Sequence, residues 1–210
     1  GFAAPNGTGT TNMIGYASGV FPGSGTFPTS YTPGGVANAT RFVGINCFFA
    51  AGGAVSSIQN NTIGGIALYT SSGASTTFGL ICGIAVTSGN ANIGTVTGNT
   101  IGAVSGGSSI YAASTTAGGV ISGIYCTTTN TINIQNNNIG GIDVSGTTAT
   151  QAQGFKGIDA AGTGTYTITN NSVGNASANN IRTGYLLTAG SLSNAATTPT
   201  TATGTSAFTG

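Results

Sequence analysis

Four stretches of this chain share one spelling. IQNNTIGGI (58–66), VTGNTIGAV (96–104), IQNNNIGGI (134–142) and ITNNSVGNA (168–176) align on a glycine at 64, 102, 140 and 174. Three residues before it stands Asn61, Asn99, Asn137 or Asn171, and one before it Ile63, Ile101, Ile139 or Val173. Six before it, the same count gives Ile58, Val96, Ile134 and Ile168. A second motif lies upstream of each: FVGINC (42–47), ICGIAV (81–86), ISGIYC (121–126) and FKGIDA (155–160), with glycines at 44, 83, 123 and 157. Four ordered copies of a two-part pattern leave few folds open, because one repeat cannot bury its apolar face alone and must stack on its neighbours.

The unit is strand and turn throughout. In Gly-Ile-x-(Cys/Val/Ala), the Ile and the third residue point inward, and the segment before the second motif alternates polar and apolar as a half-buried strand does. Gly, Thr, Ser, Asn, Val and Ile dominate the chain, a mix that disfavours helices and suits strands. Equivalent strands laid in register about 4.8 Å apart give continuous parallel sheets. The fold class predicted is therefore all-β, a parallel β-helix (solenoid) of about five coils of roughly 34–53 residues with variable loops.

That architecture gives the asparagines a use. A buried amide costs several kcal/mol unless it is hydrogen-bonded. In a stack, Asn61, Asn99, Asn137 and Asn171 recur one step up and one step down, so they can bond along the axis and satisfy turn backbone. Asn also tolerates the left-handed conformation of sharp corners. Gly64, Gly102, Gly140 and Gly174 read as corner residues of positive φ.

Residues 1–43 and 177–210 read as irregular first and last coils around the regular coils at 44–176. Phe208-Thr209-Gly210 repeats the opening of Phe155-Lys156-Gly157, and neither end resembles a polar cap. The expectation is a single β-helix segment from a longer repetitive chain, whose partners are further coils at both ends.

The composition excludes several functions. Charged residues are 2% of the chain, against about 25% in an average protein; they are Arg41, Lys156, Arg182, Asp143 and Asp159. A net charge of +1 offers no footprint for nucleic acid. No apolar run approaches the roughly 20 residues of a membrane helix. Stability should therefore respond little to pH between 4 and 9, since few groups titrate.

Glycoside hydrolysis needs two carboxyl groups flanking the bond, and Asp143 and Asp159 are the only acids. They fall near successive coils and could approach one another, as a weak calcium site at most. The plainer reading makes Asp143, Lys156 and Asp159 solvated surface residues that pair weakly. No catalytic residue, cofactor or metal is assigned. Cys47 and Cys126 share an interior column two coils apart, beyond disulfide reach. With Cys82 they are read as free thiols. Tyr69, Tyr111 and Tyr125, read as exposed, could stack on sugars, but aromatics in strands more often serve packing. The Thr-rich run at 127–131 has no counterpart in the other copies, so no regular threonine rank forms.

The pattern Gly-Ile-x-x … Ile-x-Ile-x-Asn-Asn-x-Ile-Gly resembles the right-handed parallel β-helix repeats of the pectate-lyase-like superfamily, over about residues 41–176. With its low charge, Asn-Asn-x-Ile-Gly-Gly and Gly-Ile-Tyr-Cys, it is also similar to repeat regions of very large secreted surface proteins of Bacteroidota. Those include adhesins exported by the type 9 secretion system, some serving gliding motility. The catalytic Asp, Arg and Lys sets of the enzyme members have no counterpart here. The resemblance implies a non-catalytic shaft of an extracellular, cell-surface adhesin that meets surface glycans or secretion machinery. A glycan-binding module, or a non-catalytic part of a polysaccharide-active enzyme, are the other functions it implies.

Overall fold

The computed structural model describes residues 12–15, 39–75, 77–104, 109–148, 150–176, 180–188 and 191–192. They form an all-β parallel solenoid of four complete turns, with no helix among the described residues. Each turn visits four sheets in the same order. The first holds Phe42–Cys47, Ile81–Val86, Val120–Cys126 and Gly154–Ala160. The second holds Ser56–Ile58, Ala91–Ile93, Thr131–Gln135 and Thr165–Thr169. The third holds Asn61–Gly64, Thr100–Gly102, Asn138–Gly140 and Ser172–Val173. The fourth holds Ile66–Thr70, Ile110–Ser114, Ile142–Gly146 and Ile181–Thr188.

Every pairing between turns is parallel. The exception within the molecule is Ser191–Leu192, which folds back antiparallel on Ile181–Thr188. Asn12–Gly15 adds a fifth strand to the third sheet alone, pairing Asn12 with Asn61 and Gly15 with Gly64. Five full coils were expected; the first would lie mostly in residues outside the described ones, as would Phe208-Thr209-Gly210.

The register lays like on like. Ile45, Ile84, Ile124 and Ile158 form one column, and Ile63 pairs with Ile101 and Ile101 with Ile139. Their side chains meet in one interior cluster with Ile58, Ile93, Ile132, Ile134, Ile142 and Phe155. Burial of a side chain of this size contributes about 1.5–3 kcal/mol, so the interior supplies the driving force that the missing charges do not.

The two motifs of the repeat fit one another across that interior. A Cβ at Gly83 would come within 2.7 Å of Ile101 and 2.6 Å of the Gly123 carbonyl oxygen. At Gly123 it would come within 2.7 Å of Ile139. Real Cβ atoms do not approach so closely, so the glycine of Gly-Ile makes the space that the isoleucine of Asn-x-Ile-Gly fills.

Two expectations about this frame are corrected. The inward column of the second sheet is Ile58, Ile93, Ile134 and Ile168, not Val96. Val96 is 79% exposed in a corner three residues longer than its counterparts. Counting back a fixed distance from Gly102 assumed a constant corner length. The Gln59 side chain holds the enlarged corner, accepting from the Val96 and Thr97 backbone N–H groups and donating to Asn92 and Thr95.

The corner glycines are also redistributed. Gly102 and Gly174 have positive φ, but Gly64 and Gly140 do not; their successors Gly65 and Gly141 do. Where a Gly-Gly pair is present, the first glycine ends the strand and the second takes the left-handed position. Where Ala103 or Asn175 follows, the single glycine takes it; for Ala103 the β-carbon would make that conformation costly.

Candidate functional site

The repeated polar residues assemble into an axial ladder at the corner between the second and third sheets. The Asn99 Oδ1 accepts from the Asn61 backbone N–H at 3.0 Å and from Asn61 Nδ2 at 2.7 Å. Asn137 Oδ1 accepts the same pair from Asn99 at 3.0 and 2.8 Å. Asn171 Oδ1 accepts it from Asn137 at 3.0 and 2.9 Å. Each Nδ2 also donates to strand-end carbonyls, as Asn99 does to Ile58 and Asn137 to Ile93 and Gln135. Asn61, Asn99 and Asn137 are buried, and Asn171 is half-buried at the last turn. An interior amide that fills its donors and acceptor in this way escapes the desolvation penalty.

The left-handed conformation falls one residue earlier than the sequence implied. Asn60, Asn136 and Asn170 have φ of 52°, 57° and 56°. The pair Asn-Asn thus divides two tasks: the first residue turns the chain and the second joins the turns. A fifth copy escaped the sequence reading. Asn12-Met13-Ile14-Gly15 repeats Asn-x-Ile-Gly and stands in register with Asn61–Gly64; its spelling alone could have revealed it.

The charged residues are all engaged. Arg182 forks onto Asp143, Nε to Oδ1 at 2.6 Å and Nη2 to Oδ2 at 2.7 Å. Asp143 is fully buried on the outer side of the fourth sheet. Lys156 Nζ lies 2.6 Å from Asp159 Oδ2 on the first sheet. The expectation that Asp143 and Asp159 approach one another, and that Asp143 is solvated, is corrected: the two carboxylates lie on different sheets, each with its own cation. Among the described residues no cluster of His, Cys, Asp or Glu could hold a metal ion. Arg41 donates to the Gly73, Ala74 and Gly79 carbonyls and so pins the connection between the first two turns.

The aromatic expectation is also corrected. Tyr111 and Tyr125 are 2% and 5% exposed, although both point outward from their sheets. Phe78, from the connection that Arg41 pins, packs edge-on against Tyr125 with ring centroids 5.6 Å apart. Tyr125, Cys82 and Ala85 form a small outer cluster with Val43 and Phe78. Tyr69 is half-buried beside Tyr111. Two of the three tyrosines therefore offer no open face to a sugar.

All three cysteines are free and buried. Cys47 and Cys126 both face Val86 from opposite sides in one inward column. Burial pushes the Cys126 thiol up to about 12 and raises Cys47 and Cys82 as well. A thiol so held is a poor nucleophile, because the thiolate is the reactive form.

Comparison with protein-family models, with curated proteins and with solved structures gave no match.

Proposed function

We propose that this chain is a segment of the shaft of a large extracellular, cell-surface adhesin and carries no catalysis of its own. The observation that supports the reading is where the repeat spends its polar chemistry. The conserved spelling of the four copies, Asn-x-Ile-Gly, is used between turns, and both carboxylates are engaged by neighbouring cations. The strands of each turn pair only with those of the turns beside it, although the Asn175 side chain also reaches the Val104 carbonyl two turns back, so length can be added without redesigning the core. Such a stack suits a rod that holds a binding end away from a cell. The sequence resemblance to type 9-exported surface proteins of Bacteroidota is the basis for placing the rod at a bacterial surface and among adhesion or gliding proteins.

The test is exchange. In cells that make this protein, the segment would be replaced by an unrelated rigid solenoid of equal length. Adhesion that survives the exchange supports a shaft. Adhesion lost on exchange, with display on the surface unchanged, would place ligand binding within the segment and sink the reading.

A further inference from the structure

The solenoid has two unlike sides. In the middle turns, the outward-facing Cys82, Ser122 and Tyr125 of the first sheet and Tyr111 and Asp143 of the fourth are at most 5% exposed. All five charged residues lie on that side. Lys156 and Asp159 stand on the first sheet, Asp143 and Arg182 on the fourth, and Arg41 binds the connection between the two. The second and third sheets differ. Asn92 and Asn133 face outward from the second, Thr100 and Asn138 from the third, in register between turns. These amides and hydroxyls are half-buried or exposed, and no charge stands among them.

The uncharged side also carries exposed apolar residues. Val96, 79% exposed, stands at the corner between the second and third sheets, and Val104, 59% exposed, just past the third. Both belong to the second turn, which has described turns on either side of it, so their exposure does not come from an end of the stack. The corner under Val96 is held by the Gln59 hydrogen bonds. Phe48 and Val55, exposed in the connection from the first sheet to the second, continue the series in the first turn. Loss of charge around exposed apolar side chains is the compositional mark of an interface. Added turns stack on strand edges, so they would prolong this side along the axis and leave it uncovered.

We propose that the side formed by the second and third sheets is the face on which a second copy of this chain docks, the two solenoids lying side by side. The occupant follows from charge and spacing. A charged partner would lose water against a face with no counter-charge. A second copy offers the same neutral face. Its side chains recur at the same interval of about 4.8 Å along the axis, so a contact made in one turn repeats in the next. Four turns, about 20 Å long and two sheets wide, give on the order of 500 Å² per copy, less than the about 800 Å² of a standard interface. Association of this chain should therefore be weak and reversible. The inference goes beyond the shaft reading, and either can fail without the other.

The test is sedimentation equilibrium of the whole chain from micromolar to millimolar concentration. The expected result is a reversible monomer–dimer equilibrium. Val96→Asp and Val104→Asp should each raise the dimer dissociation constant at least tenfold, because each buries a charge without a partner. Ala117→Asp, an exposed change in the connection from the fourth sheet to the first, should leave that constant unaltered. Both valines are exposed at separate corners, so one variant serves if the other fails to fold. A chain that stays monomeric throughout would overturn the proposal. So would dimers indifferent to both valine substitutions, or weakened equally by Ala117→Asp, since the contact would then lie elsewhere. A monomer that co-sediments with phosphatidylcholine vesicles, and stops doing so on Val96→Asp, would also overturn it by making a lipid surface the occupant.

Discussion

Asn99 sits at the middle of the ladder, with bonds to the turn on either side. Replacing it by Ala removes the acceptor for two Asn61 donors in a dry interior, where each unsatisfied group costs about 1–3 kcal/mol. Asn99→Ala should therefore lose on the order of 2–4 kcal/mol of unfolding free energy, read from a urea midpoint. Asn171→Ala strands the equivalent donors of Asn137, but at a half-exposed edge where water can replace the lost acceptor. Its cost should be about 1 kcal/mol. Equal losses at the two positions would mean that the amides act individually rather than through burial in a stack.

At the scale of elements, much was legible because stacking makes equivalent residues meet. The asparagine column, the inward isoleucines of Gly-Ile and the interior pairing of Cys47 and Cys126 with Val86 follow from the repeat itself. What was hidden depends on lengths and coverings that the repeat does not encode. Val96 was misplaced because its corner holds three extra residues, and Gln59, in a neighbouring turn, is what holds them. Tyr125 looked exposed because the strand pattern points it outward, whereas the connection carrying Phe78 folds over it. Asp143 looked solvated because its partner Arg182 lies 39 residues away, brought opposite only by register. The corrected column carries its own prediction. Ile93→Ala should cost about 2–5 kcal/mol as a core truncation. Val96→Thr, in the exposed corner, should stay within about 0.5 kcal/mol of the parent. The reverse ranking by thermal or urea unfolding would restore Val96 to the interior.

For the molecule as a whole, low charge leaves the cysteines as the groups whose titration folding most perturbs. In an unfolded chain the thiols lose their protons near pH 8.5, at about the ordinary value. In the folded chain burial raises them, Cys126 up to about 12. The folded state therefore binds more protons over that window, so stability is fully present below about pH 8 and falls as pH rises towards 12. Urea midpoints should be flat between pH 6 and 8 and decline above about 9. Replacing Cys82 and Cys126 by Ala should lessen that alkaline decline, leaving the part carried by Cys47, Tyr125 and Tyr166, whose protons burial also holds, with some loss of packing at every pH. A strong slope between pH 6 and 8 would contradict a structure held by apolar columns and amide ladders.

The claim beneath all of these is that the asparagines join successive turns to one another. A double-mutant cycle between Asn61 and Asn99 measures that join directly. The account predicts a coupling energy of about 1–3 kcal/mol for this adjacent pair, and less than about 0.5 kcal/mol for Asn61 with Asn171, which share no contact. Strictly additive losses for Asn61 and Asn99 would contradict the ladder.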